Sequence, residues 1–208
     1  MVKTKNLAYA YEGGQKLSFP DLELPAGEHL LIMGPSGVGK TTLLHLLSGL
    51  LPPVQGAVHV GETELTALTR KELDMFRGAH MGIVFQQYHF IKSLTVSENM
   101  KLRQSYPQKA DDKQRRNLLS ERLGLADCSS KKVTELSQGQ KQRLSIALGL
   151  IHKPQIVFAD EPTSNLDDEN CDRVVQLLKD EAEICKSSLV IITHDQRVKY
   201  HFQNQVVL

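Results

Sequence analysis

At 208 residues the chain is long enough for one domain with a sizeable core. Its 25 Lys and Arg against 24 Asp and Glu leave a net charge of +1, so the sequence shows no basic footprint for nucleic acid. It has no apolar run near the roughly 18 residues of a membrane helix, and its start lacks a charged-then-apolar leader pattern. Three cysteines, Cys128, Cys171 and Cys185, lack metal-ligand spacing and fit reduced thiols in a cytosol.

In chain order, Leu7, Tyr9 and Tyr11 alternate onto one face of a first strand. Glu12-Gly13-Gly14 turns, and Leu17, Phe19, Leu22 and Leu24 predict a further strand broken at Pro20. Leu30-Leu31-Ile32-Met33 is short and wholly apolar, as a buried parallel strand would be. A glycine-rich loop and a helix over Leu43–Gly49 follow, and Leu51-Pro52-Pro53 stops that helix. Gly56–Gly61 is a short strand, and Thr69 with Glu72 reads as a capping box opening a helix. Met81–Phe85 is again a short apolar strand.

From Ser97 to about Leu150 the pattern turns helical. Lys113, Arg115, Arg116, Glu121 and Arg122 are expected on outer faces, with Leu118, Leu119, Leu123 and Leu125 as the packed side. This reads as a helical insertion, about 97–150, within a single domain spanning 1–208. The sheet resumes at Ile156–Ala159, and a polar helix follows with Val174, Val175, Leu177 and Leu178 as its buried positions. Leu189–Thr193 and Val206–Leu208 close the series of strands. Strands alternating with helices predict an α/β domain with a largely parallel sheet.

The chemistry concentrates at Gly34-Pro35-Ser36-Gly37-Val38-Gly39-Lys40-Thr41-Thr42, which reads G-x-x-x-x-G-K-[ST] between a strand and a helix. Glycines let successive N–H groups turn inward around an anion, and the helix start adds its dipole. Lys40 supplies a point charge for phosphates, and the Thr41 hydroxyl is placed for Mg²⁺. Asp160 and Glu161 follow an apolar strand, where α/β folds bind ligands. Asp160 is placed to hold Mg²⁺ through its waters, and Glu161 to act as general base on an attacking water. Leu136-Ser137-Gln138-Gly139-Gln140 opens another helix, either as a second anion-binding terminus or as an ordinary capping box of Ser137 with Gln140.

Taken together, these motifs resemble the ATP-binding subunits of ATP-binding-cassette (ABC) transporters, over essentially the whole chain. The phosphate loop, Gln86, the LSxGQ-type signature at 136–140, Asp160-Glu161-Pro162-Thr163, Ser164-Asn165-Leu166-Asp167 and His194 come in that family's order. The resemblance implies a P-loop fold of ABC type: a mainly parallel sheet core, an N-terminal antiparallel β region and an inserted helical subdomain. It implies ATP and Mg²⁺ as cofactors, Tyr11 as the aromatic platform for adenine, and His194 as a switch residue at the γ-phosphate. Gln86 becomes the loop glutamine that senses Mg²⁺, water and a membrane partner.

The resemblance also implies a head-to-tail dimer with ATP sandwiched between copies. Ser137, Gly139 and Gln140 of one copy would complete the site of the other, and the run ending at Asp167 would cross the two-fold axis. A separate membrane permease would dock near Gln86, with Tyr88, Phe90 and Ile91 either lining its groove or packing in the core. The subunit would sit at the cytoplasmic face of the bacterial inner membrane. Phe76-Arg77, Val84-Phe85-Gln86-Gln87 and Glu98-Asn99 are most similar to the branch of lipoprotein release, macrolide or peptide export and cell division. An importer ATPase and an ATP-gated regulatory module without transport remain alternatives. Two departures stand out: Gln138 replaces the usual glycine, and Leu148-Gly149 replaces the commoner Arg-Ala. In a helix interior, Gly149 costs about 1 kcal/mol relative to alanine.

Overall fold

Apolar runs without alternation are what strands covered on both faces require. The computed structural model describes residues 1–106, 110–164 and 166–208, and in it those runs become one parallel sheet. The chain opens with β1 (Val2–Ala10), β2 (Lys16–Ser18), β3 (Glu23–Leu24) and β4 (His29–Met33), then α1 (Lys40–Leu47). After these come β5 (Gln55–Val60), β6 (Thr63–Glu64), α2 (Arg70–His80) and β7 (Met81–Val84). Three helices follow: α3 (Val96–Ser105), α4 (Lys113–Arg122) and α5 (Gln138–Leu150). The last elements are β8 (Ile156–Asp160), α6 (Asp168–Cys185), β9 (Ser188–Thr193) and β10 (Asn204–Val207).

The parallel sheet has the order β10-β4-β9-β8-β7. A separate antiparallel sheet runs β2-β1-β5-β6, with β3 also paired to β1. Side chains alternate along each central strand. Leu30, Ile32, Phe158, Val190 and Ile192 pack on one face with α1 and the antiparallel sheet. Leu31, Met33, Val157, Ala159, Leu189 and Ile191 pack on the other with α3 to α6. An eight-residue helix is unstable in isolation. In α1, Leu43, Leu44, Leu46 and Leu47 are all buried, and each contributes about 1.5–3 kcal/mol.

Several sequence expectations change in three dimensions. β1 turns Leu7 and Tyr9 toward one core, as their alternation predicts. Asn6 adopts φ 51° and the register with β5 slips between Lys5 and Ala8, so Leu7 and Ala8 are both buried. Gly56 faces this bulge at φ 93°, where a Cβ would meet the Lys5 carbonyl at 2.4 Å. Tyr11 lies beyond the strand and is half exposed.

On α4, Arg115 and Arg116 are buried rather than outward, and Leu118 is exposed. The inward stripe is Arg115, Arg116, Leu119 and Ser120, one face of a 3.6-residue period. Arg116 donates to Gln104 Oε1 at 2.5 Å and pairs with Asp111. Arg115 and Arg122 both face Glu181 of α6, which is fully buried. Leu177 is only partly buried against the core.

Candidate active site

The site is assembled at the carboxyl ends of β4, β8 and β9. β4 ends at Met33, and the loop turns into α1 through Gly37 and Gly39, both at positive φ (84° and 103°). Gly39 caps α1 without any side-chain hydrogen bond, which leaves the first N–H groups of the helix for an anion. Lys40 is buried and folds back, donating to the Gly34 and Pro35 carbonyls at 2.9 and 3.0 Å. Its Nζ also lies 3.6 Å from Glu161 Oε1.

Asp160 and Glu161 leave the end of β8 in different directions. The Thr41 hydroxyl donates to Asp160 Oδ1 at 3.3 Å. Burial pushes the Asp160 carboxyl above its ordinary range, and the neighbouring Glu161 charge adds to that, against the Thr41 bond. A hydroxyl and a buried carboxylate converging are hard oxygen donors, and they fit Mg²⁺. Among the described residues no group of three His, Cys, Asp or Glu side chains could hold a metal ion.

Glu161 has φ 46°, a left-handed backbone that is uncommon for a non-glycine residue. Its N–H bonds the Ile192 carbonyl at 2.8 Å and its carbonyl accepts from Ser164 N–H at 3.1 Å, which holds that geometry. Oε2 accepts from the Thr193 hydroxyl at 2.7 Å and from the His194 N–H at 3.3 Å. Oε1 lies 2.9 Å from His194 Nδ1. Phosphate-loop lysine, acidic strand end and His194 therefore meet on one carboxylate.

Tyr11 reaches the start of α1, with its hydroxyl 2.7 Å from Thr42 Oγ1. Its ring meets Tyr9 edge to face, centroids 4.8 Å apart, and the residue is half exposed. Gln86 is exposed just past β7. The following loop is pinned by the buried Asn99, whose side chain bonds the Ile91 N–H and carbonyl at 3.0 and 3.2 Å.

Ser137 caps α5 and Gln140 reaches back, a complete capping box, with Gly139 exposed beside them. Among the described residues no hydrogen bond joins these three to the phosphate loop of their own chain. A cavity of 310 Å³ instead lies between Gln86, Gln138, Gly139, Gln142, Glu161 and Ser164. Gln142 Nε2 donates to the Pro162 carbonyl at 2.5 Å, tying α5 to the loop after Glu161. Asp167 caps α6 by accepting from Asn170 N–H at 2.8 Å, and that bond holds its carboxyl below the usual range. Asn165 lies outside the described residues. Sequence reasoning missed Thr193 and Gln142, because neither hydroxyl nor amide carries a spacing signal.

Residues 17–164 match the family model described as "ABC transporter". The chain belongs to the ABC transporter family. Its members here include the bacitracin export ATP-binding protein BceA of Halalkalibacterium halodurans, 40% identical over 84% of this chain and 70% of that protein. The lipoprotein-releasing system ATP-binding protein LolD of Pseudomonas syringae pv. tomato is 37% identical over 94% of this chain and 88% of that one. Among solved structures, the dimeric ATP-binding cassette MJ0796 bound to ADP and Pi superposes with a TM-score of 0.88 at 33% identity. That superposition covers 100% of this chain and 94% of MJ0796. As a member of the ABC family the chain is a transport-coupled ATPase with the cassette fold. The family-model match ends at residue 164, and Thr193 and His194, which lie beyond it, fall within the superposition on MJ0796.

Proposed function

We propose that two copies of this chain close around two ATP molecules and drive a separate membrane permease. The observation that carries this reading is the state of the two half-sites. Glu161 is already held by Thr193 and His194 beside Lys40, while the α5 terminus at Ser137 and Gly139 stays exposed and, among the described residues, makes no hydrogen bond to the phosphate loop of its own chain. A complete site needs those donors from a second copy, and the dimeric MJ0796 cassette supports that arrangement.

In this mechanism the phosphate-loop N–H groups from Gly34 to Thr42 wrap the phosphates, and Lys40 turns from the Gly34 and Pro35 carbonyls onto them. The half-exposed ring of Tyr11 takes adenine. Thr41, Asp160 and Gln86 would hold Mg²⁺. When bound, that ion neutralises phosphate charge, on which phosphoryl transfer depends. Glu161 takes a proton from the attacking water, and His194 shares that carboxylate and faces the γ-phosphate. Ser137, Gly139 and Gln140 of the other copy close the site, with the run ending at Asp167 between the copies. Gln138, the non-glycine of the signature, lines the cavity next to Gln86 and adds a polar side chain there. Hydrolysis removes the contacts that favour the closed pair.

Residues 97–150 act as the arm that carries the signature within the single domain 1–208. No helix among the described residues is long and apolar enough to cross a membrane, and this reading assigns the membrane part of the machine to a separate permease. A groove of 590 Å³ beside Gln86, lined by Leu50, Ile83, Phe85, Ile91, Leu102 and Leu148, offers the permease a seat for an apolar helix face. Leu148 stands in this groove where the family more often has arginine. Ile91 is exposed in this groove, Tyr88 is exposed at the 310 Å³ cavity next to Gln86, and Phe90 stacks on Tyr88 and packs partly into the core. The subunit then sits on the cytoplasmic face of a bacterial inner membrane. Likeness to BceA and LolD favours export or lipoprotein release as the work done.

The test is ATP hydrolysis and size-exclusion mass of the wild type beside Glu161→Gln. We expect turnover to fall at least a hundredfold and the variant to run as a dimer only with ATP. Normal turnover in the variant, or no dimer with any nucleotide, would overturn the proposal.

A further inference from the structure

Two separate segments border Glu161. One runs from β8 through Thr163 and Leu166 to the start of α6 at Asp168. The other follows β9 and carries His194, Asp195 and a 3-10 turn at Gln196–His201. One guanidinium joins them. Both terminal nitrogens of Arg197 donate to the Leu166 carbonyl at 3.2 Å, and one also reaches Asp168 Oδ1 at 2.6 Å. Nε donates to Asp195 Oδ1 at 2.9 Å and the second terminal nitrogen to Asp195 Oδ2 at 2.7 Å. Asp195 Oδ2 also accepts from the Thr163 hydroxyl at 3.1 Å.

The Leu166 segment is therefore held at three points by the pair Asp195–Arg197. The same pair reaches the active carboxylate in two steps. Asp195 N–H donates to Thr193 Oγ1 at 3.0 Å, and that hydroxyl donates to Glu161. Not every contact matters equally. Asp168 is almost fully exposed, so its bond to Arg197 is screened and weak. Asp195 is largely buried and the Leu166 carbonyl is main chain, so these are the contacts that need a planar fork of donors.

We propose that Arg197 is a positioning residue that couples Thr163, Leu166 and the start of α6 to His194 and Glu161, so that docking of these residues against a second copy sets the geometry of hydrolysis. This deepens the two-copy reading and rests on it. Arg197 touches neither the phosphate loop nor Tyr11, so its loss should spare nucleotide binding. A lysine keeps the charge but not the fork, and should rescue little.

The experiment compares steady-state ATP hydrolysis by the full chain as wild type, Arg197→Ala and Arg197→Lys, with Glu161→Gln run alongside as an ATP-dependent dimer. The expected result is a kcat lower by about tenfold in both Arg197 variants, the scale of a small misplacement at a distance from the chemistry. KM for ATP should stay within about twofold, and the Hill coefficient for ATP should fall towards one. Unchanged kcat and Hill coefficient in Arg197→Ala would overturn the coupling. So would a joint loss of KM, kcat and melting temperature, which marks a merely structural residue. If Glu161→Gln forms no ATP-dependent dimer, it is the two-copy reading that fails. If it dimerises while Arg197→Ala behaves as wild type, only the coupling fails.

Discussion

Gly149 breaks the helix rule within α5, yet the close approach of its backbone to β7 constrains Gly82 instead. β7 is the edge of the parallel sheet, and α5 crosses it with Gly149 over Gly82. A Cβ on Gly82 would lie 2.0 Å from the Gly149 carbonyl oxygen and 2.9 Å from its carbon. These are backbone atoms and cannot rotate aside. In Gly82→Ala, α5 and β7 must separate by more than about 1 Å to restore ordinary contact distances near 3.5 Å. That loosens Val84, Ile146 and Leu150, which are all buried.

Overpacking against movable side chains costs about 1–3 kcal/mol, so a backbone obstacle should cost about 3 kcal/mol or more. For a chain of this size that lowers the melting temperature by roughly 6–12 °C. Gly149→Ala should differ. Its Cβ would meet Val84 Cγ2 at 3.0 Å, a side-chain methyl that can shift, and alanine recovers about 1 kcal/mol of helix propensity. The net change should stay within about 1 kcal/mol. Thermal and urea unfolding followed by circular dichroism reads both variants. A Gly82→Ala protein melting within about 2 °C of its parent would refute the reasoning. A Gly149→Ala protein less stable than Gly82→Ala would refute it equally.

Glu181→Ala should cost about 3–5 kcal/mol in urea unfolding, because it leaves the buried Arg115 without its counter-charge. The carboxylate pairs with Arg122 Nε at 2.6 Å without well-aligned hydrogen bonds, so the interaction is one of charge, and a loss below about 1 kcal/mol would show that water replaces it. Tyr11→Ala should weaken ATP binding by about 1–3 kcal/mol, roughly 5- to 150-fold, in a calorimetric titration, the worth of one base stacked on a ring. Tyr11→Phe keeps the ring and loses only the Thr42 bond, so wild-type affinity in the alanine variant, or equal losses in both, would remove Tyr11 from the adenine site.

What the sequence by itself determined is local. The phosphate loop, its strand and its helix are legible because glycine, lysine and threonine in consecutive positions specify one backbone path. The capping boxes at Thr69 and Ser137 are legible for the same reason, each closing over three residues. The parallel sheet follows from apolar runs without alternation, and those runs stand at β4, β8 and β9 with small shifts of boundary. Tertiary structure decided what those elements meet. Thr41 and Asp160 are brought together across 119 positions only by the strand order β4-β9-β8. The same order sets Thr193 beside Glu161 and brings Arg197 to Leu166. Arg115 and Arg116 look like solvated charges in a helical pattern, yet they turn inward because buried or acceptor-rich partners wait there: Glu181 for one, Gln104 and Asp111 for the other. Periodicity assigns a residue to a face, but whether that face meets water, a leucine or a carboxylate depends on the element packed against it. That element comes from elsewhere in the chain, and its place is set by the burial of the whole sheet.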